Sequence, residues 1–159
     1  MYFSNEKVID VDTGEIRVSN ESVILQSVAL GSCIALAVYD RTKKIGGLAH
    51  IMLPGKSPSS KNNTKYAEDS IEALLEWMNK LGATKKNLEI SIVGGANVLQ
   101  EGDIPDKVIK SVLDYLNKLN LKINSKRIGG IKRRSLYFNT ETGDVHYTEG
   151  DDSKKILLI

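Results

Sequence analysis

Two apolar runs with only three residues between them constrain this chain most: SVILQSVAL at 22–30 and IALAVYD at 34–40. Both are rich in Val, Ile and Leu. They are short for helices and too continuous for strands with one wet face, so they are expected to be strands covered on both sides, although periodicity alone also admits helix. A strand buried in that way needs a packed layer on each face of its sheet. With 159 residues the chain is long enough to supply both layers, and it reads as a single domain over 1–159.

The rest of the sequence supplies those layers. VIDVD and EIRVS are short alternating segments split by the turn-prone pair Thr13-Gly14, and LAHIMLP at 48–54 is a further strand ended by Pro54. GKSPSSKNNT at 55–64 is a loop by composition. Ile71, Leu74, Leu75 and Met78 then follow helical spacing, with Gly82 as the stop. NLEISIVGGAN at 87–97 reads as a strand entering a glycine turn. A second amphipathic helix is predicted over 105–119, with Ile109, Val112, Leu113, Leu116 and Leu119 on one face and Pro105 in its first turn. LKINSKRIGG, RRSLYFN and GDVHYTE close the chain as strands. Strands in hairpins around two helices make a layered α+β domain.

Composition excludes several function classes. An apolar fraction of 41% and a charged fraction of 26% are ordinary globular values. A formal charge of +2 gives no reason to expect nucleic acid or an anionic membrane as partner. One cysteine cannot close an internal disulfide, the opening residues are too polar for a leader, and no apolar run reaches membrane-spanning length. A soluble cytoplasmic protein is the expectation.

The candidate chemistry centres on that cysteine. Cys33 follows Gly31 and Ser32, and a Gly-Ser turn is able to aim successive amides at one point as an oxyanion site. His50 lies seventeen residues later inside an apolar strand. A hairpin centred near Lys43 sets residue 33 opposite 52 or 53, with 50 close by; a bulge at Gly46-Gly47 would shift that register. Ser27, six residues before the cysteine, offers a hydroxyl to orient an imidazole. Each residue also has a plain structural reading: a buried thiol, a core histidine bonded to a carbonyl, a strand serine. His146 is expected at the surface. One Cys and two His do not make a zinc site, VGGAN has no phosphate-loop pattern around it, and KRIGGIKRR at 126–134 is expected to be a solvated strand pair.

The chain resembles the CheD family of chemoreceptor glutamine deamidases. LGSC at 30–33, HIMLP at 50–54, KYAEDSIEALLEWM at 65–78, GGAN at 94–97, IGG at 128–130 and RSLYFNTETGDV at 134–145 carry the resemblance, in order over most of the chain. It implies a three-layer α/β sandwich, predominantly antiparallel, with two main helices and a papain-like arrangement of cysteine and histidine. Carried over by position, Cys33 is the nucleophile and His50 its base. Ser27 stands where the family usually has threonine. IPDKV at 104–108 replaces the family's usual Ile-Gly-x-Arg-Asn stretch, and SIVGG lacks the basic or polar residue often found before the glycine turn.

The implied reaction is hydrolysis of glutamine side-chain amides through a cysteine thioester, with no cofactor or metal. A thiolate–imidazolium pair is expected at rest. The implied partners are receptor cytoplasmic helices, with the 55–64 loop as a docking candidate, and a CheC-like phosphatase; neither nucleic acid nor membrane insertion is implied. An adaptor that binds without turnover, and acyl transfer to an amine in place of water, are the alternatives.

Overall fold

The computed structural model describes residues 6–159; the first five residues of the polar opening lie outside the described residues. Ten strands and two long helices form three layers. The first sheet has the order β1 (Lys7–Asp10), β3 (Val23–Leu30), β8 (Arg134–Asn139), β9 (Val145–Glu149), β10 (Asp152–Leu157). The second has the order β2 (Ile16–Ser19), β5 (Ile45–Ile51), β4 (Ile34–Asp40), β6 (Leu88–Gly94), β7 (Ser125–Ile128). Helices α1 (Ala67–Leu81) and α2 (Ile104–Lys118) cover the outer face of the second sheet. Pairing is mostly antiparallel. The exceptions are β1 with β3 and β6 with β7, the latter joined by α2 as a crossover.

Strand β4 is buried along its whole length, as its composition predicts. Ile34, Leu36 and Val38 face the helices, whereas Ala35, Ala37 and Tyr39 face the first sheet. The two alanines leave room for Leu25, Leu136 and Phe138 from the opposite sheet, all fully buried. Gly82 ends α1 in the left-handed conformation, at φ +109°. On α2 the most buried side chains are Val108, Val112, Tyr115 and Leu116; Ile109, Leu113 and Leu119 pack at the edge of the same core.

The Thr13-Gly14 turn forms where expected and carries the chain between the sheets, β1 and β2 belonging to different ones. The β4–β5 register runs unbroken from Ile34↔Ile51 to Asp40↔Ile45, with no bulge at Gly46-Gly47. Those glycines serve close packing: a Cβ on Gly46 would lie 2.9 Å from the Phe138 ring, and one on Gly47 would lie 2.6 Å from Leu74. The bulge falls instead in β3, where the pairing shifts between Ser27↔Leu136 and Leu30↔Arg134. In addition, β10 is a strand that the sequence reading omits.

Because Phe138 and buried Thr140 hem in Gly46, Gly46→Ala is expected to cost about 1–3 kcal/mol. Urea unfolding should show a lower midpoint at an unchanged slope. An unchanged midpoint would mean that the two sheets have slack there.

Candidate active site

The N-terminal end of β4 is where the candidate residues gather. The unbroken hairpin register pairs His50 with Ala35, which sets Cys33 level with Met52, as the hairpin count predicts. Side chains alternate along a strand, so Cys33, Ala35 and His50 point to the same side, into the space between the sheets. Cys33 is half-buried there, against the inter-sheet core. Diagonal cross-strand neighbours of this kind have Cβ atoms about 7 Å apart, a span that a thiol and an imidazole are able to bridge.

The connection from β1 to β2 forms the third wall, and side-chain patterning gave no sign of it. The carbonyl oxygen of Val11 lies 2.9 Å from His50 Nδ1 and accepts a 2.7 Å hydrogen bond from the Ser27 hydroxyl. Ser27 and His50 therefore share a backbone acceptor. A carbonyl only accepts, so Nδ1 carries the hydrogen and the Nε2 lone pair is left to take a proton. The main chain of His50 is pinned to the same connection: Gly14 N–H donates to its carbonyl at 2.8 Å, and its own N–H donates to Glu15 O at 3.1 Å. Thr13 hydrogen-bonds the Cys33 thiol.

The turn that carries Cys33 is backed from the opposite side by the glycine turn after β6. Gly95 N–H donates to Cys33 O at 2.9 Å, and Ala96 N–H donates to Gly31 O at 2.8 Å. Gly94, at φ +123°, must be glycine because a Cβ there would overlap the Cys33 carbonyl oxygen. With the carbonyls of the turn engaged in this way, the amides of Ser32 and Cys33 donate to no acceptor among the described residues. Two free N–H groups beside a thiol are able to stabilise an oxyanion.

The β3 bulge completes the geometry. Its extra residue leaves both Ser27 and Leu30 pointing inward, with Val28 and Ala29 exposed between them. Ala29 adopts φ +54°, a left-handed conformation that costs a non-glycine residue about 1–2 kcal/mol. Its N–H is anchored to Ser135 Oγ at 2.9 Å.

The basic stretch at 126–134 is solvated over most of its length, with Lys126, Arg127, Lys132 and Arg133 exposed, but β7 and β8 lie in different sheets and its last residue turns inward. Arg134 is buried; its guanidinium bonds Gly129 O at 2.7 Å, Gly94 O at 3.3 Å and Glu149 at 3.0 Å. Arg127 reaches the same carboxylate at 3.1 Å. Burial alone would raise the Glu149 carboxyl, but the hydrogen bonds from Arg127 and Arg134 outweigh it and hold the group below its ordinary range. A buried ion pair thus fixes the glycine turn behind Cys33. His146 is half-buried on β9 and takes no part in the site.

Burial pushes the Cys33 thiol up, with the Thr13 hydrogen bond offsetting part of the effect. Burial likewise pushes the His50 imidazole down, against the Val11 carbonyl and the carboxylates of Asp12 and Glu15. Both shifts favour the neutral forms, while the Val11 carbonyl and the carboxylates of Asp12 and Glu15 favour a proton on His50.

Comparison with known proteins places this architecture. The model of the family described as CheD chemotactic sensory transduction matches residues 52–149. A probable chemoreceptor glutamine deamidase CheD of Methanococcus vannielii is 38% identical over 154 residues, covering 94% of this chain and 99% of the relative. Its counterpart in Clostridium botulinum is 39% identical over 159 residues, covering 94% and 98%. The chain belongs to the CheD family. Within this CheD chain the family match begins just past Cys33 and His50, and the relatives extend the similarity across nearly the whole sequence.

Because Cys33 is the only cysteine, its titration is directly readable. Iodoacetamide alkylation should rise with pH to a midpoint above the ordinary thiol value of about 8.5. A midpoint below neutrality would show a preformed thiolate–imidazolium pair. Gly94→Ala is expected to cut turnover at least tenfold at near-native KM, since it displaces the Cys33 carbonyl.

Proposed function

We propose that this chain is a chemoreceptor glutamine deamidase, with Cys33 as nucleophile, His50 as base, Ser27 as the residue that helps fix the base, and the amides at Ser32 and Cys33 as oxyanion donors. The observation that carries the reading is the Val11 carbonyl, which sets His50 Nδ1 as the hydrogen-bearing nitrogen and frees Nε2 on the face it shares with Cys33. The CheD family membership and the names of its curated relatives support the substrate class.

The steps balance without a cofactor. His50 Nε2 takes the thiol proton as sulfur attacks the glutamine amide carbon. The oxyanion that forms accepts hydrogen bonds from the free amides, each worth about 3 kcal/mol of barrier. The imidazolium then gives its proton to the amide nitrogen, ammonia leaves, and a thioester remains. Water enters, His50 takes its proton, and the thioester opens to a carboxylate and the thiol. On a receptor helix each turnover replaces a neutral amide with a charge, which adds repulsion between neighbouring carboxylates of about 0.2–0.5 kcal/mol per pair.

The reading places the chain in the cytoplasm, beside the signalling helices of receptors, with a CheC-like phosphatase as a second partner. No described helix is long and apolar enough to cross a membrane. The loop at 55–64 is a further contact for the receptor. Its backbone is already held against α1, with the amides of Ser57 and Asn63 bonded to the buried Asp69 carboxylate at 3.2 and 2.8 Å.

Incubation with a receptor cytoplasmic fragment, followed by peptide mass spectrometry, should show glutamine-to-glutamate conversion that Cys33→Ala abolishes. Ser27→Ala should lower kcat roughly tenfold by leaving the Val11 carbonyl with one partner, a loss of about 1.4 kcal/mol. The kcat/KM profile should rise with pH through a value below the ordinary histidine range of about 6.5, because the base must be unprotonated and burial depresses His50. Retained receptor binding without any conversion would replace the enzyme by an adaptor.

A further inference from the structure

A groove of about 300 Å³ opens directly beside the nucleophile turn. One wall is the backbone of Gly31 and Ser32. The other is mostly apolar, made by Val98, Leu99, Ile104 and Pro105 from the connection between β6 and α2, with the exposed Glu101 on the same connection and not ion-paired to Arg133. Leu99 is 77% exposed and Ile104 48%, large apolar side chains that fold stability would not place in water. Their backbone is braced: Asn97 accepts from Glu101 N–H at 3.2 Å and donates to Gly102 O at 3.3 Å, and its own N–H donates to Gly130 O at 2.8 Å.

Arg133 also lines this groove. Its guanidinium lies 3.3 Å from where a Cβ on Gly31 would stand, so a side chain at position 31 would crowd it. The neighbouring Arg127 and Arg134 both engage Glu149, whereas exposed Arg133 has no ion-pair partner among the described residues. A cation thus lies beside Gly31, two residues from Cys33, at the edge of a mostly apolar trough.

Resting on the reading of Cys33 as nucleophile, we propose that this groove receives the part of the receptor chain flanking the target glutamine. An apolar side chain seats against Leu99 and Ile104, and an acidic side chain pairs with Arg133. The occupant follows from continuity. A protein chain that presents a glutamine to Cys33 between His50 on one side and Gly94–Ala96 on the other must pass over Gly31–Ser32, and one helical turn, about 5.4 Å, carries it into the trough. Beside Gly31, where Arg133 stands, a flanking carboxylate meets an unpaired guanidinium and a flanking lysine meets repulsion, and Glu101→Gln should widen that difference by removing the groove's one carboxylate. Arg133 is in this way a determinant of which glutamines are converted.

The test uses a receptor cytoplasmic fragment with one target glutamine, in versions carrying Glu, Ala or Lys one turn to either side. Wild-type protein should convert them in the order Glu, Ala, Lys, with about tenfold in kcat/KM between the extremes on the side that meets the groove. Arg133→Glu should invert the order. Leu99→Ser should raise KM severalfold for every version while leaving iodoacetamide alkylation of Cys33 unchanged. An order that survives Arg133→Glu, or an equal loss on all versions, overturns the proposal, as does an unchanged KM in Leu99→Ser. Conversion that persists in Cys33→Ala would instead remove the nucleophile assignment, so the two failures are distinguishable.

Discussion

Burial of β4 on both faces is the constraint on which the molecule depends. Alternate residues of one seven-residue strand anchor two different cores, the helical layer through Ile34, Leu36 and Val38 and the partner sheet through Ala35, Ala37 and Tyr39. A strand clamped in this way has almost no freedom to slide, because a shift of one residue would exchange its two faces. Its N-terminal end is therefore a fixed point, and Cys33 occupies it. Both flanking strands, β5 with His50 and β6 with the glycine turn, take their register from the same strand.

Around that point the site is assembled largely from main chain. The histidine is oriented by the Val11 carbonyl, the Gly31–Cys33 turn is held by the amides of Gly95 and Ala96, and the free donors among the described residues are those of Ser32 and Cys33. Side chains act mainly at a distance, Ser27 by sharing the Val11 acceptor and the Arg134–Glu149 pair by bracing Gly94 and Gly129. Backbone groups are suited to this work because they are rigid and carry no side-chain entropy to be lost.

The same distinction explains how much could be read from the sequence. The two helices, the buried strands and the β4–β5 register rest on hydrophobic patterning and turn position, and they are found where the pattern puts them. Residue type and spacing singled out Cys33, His50 and Ser27, the resemblance gave them roles, and the fold brings them to one end of the sandwich. Val11 was not legible, because a carbonyl acceptor leaves no mark on residue type. The bulge was sought at Gly46-Gly47, where glycine suggested slack, but close packing claims both glycines and the extra residue is accommodated at Ala29 with a left-handed backbone. The basic stretch is solvated as expected except at Arg134, whose partner Glu149 stands directly opposite on the next strand, and residue type alone does not mark which arginine of the run is buried.

The burial of Cys33 has a bearing on oxidation. Peroxide attacks the thiolate, and burial that pushes the thiol up leaves less of it to attack. A chain with one cysteine has no second thiol of its own to capture a sulfenic acid as a disulfide. Shielding the sulfur between the sheets is the protection that remains.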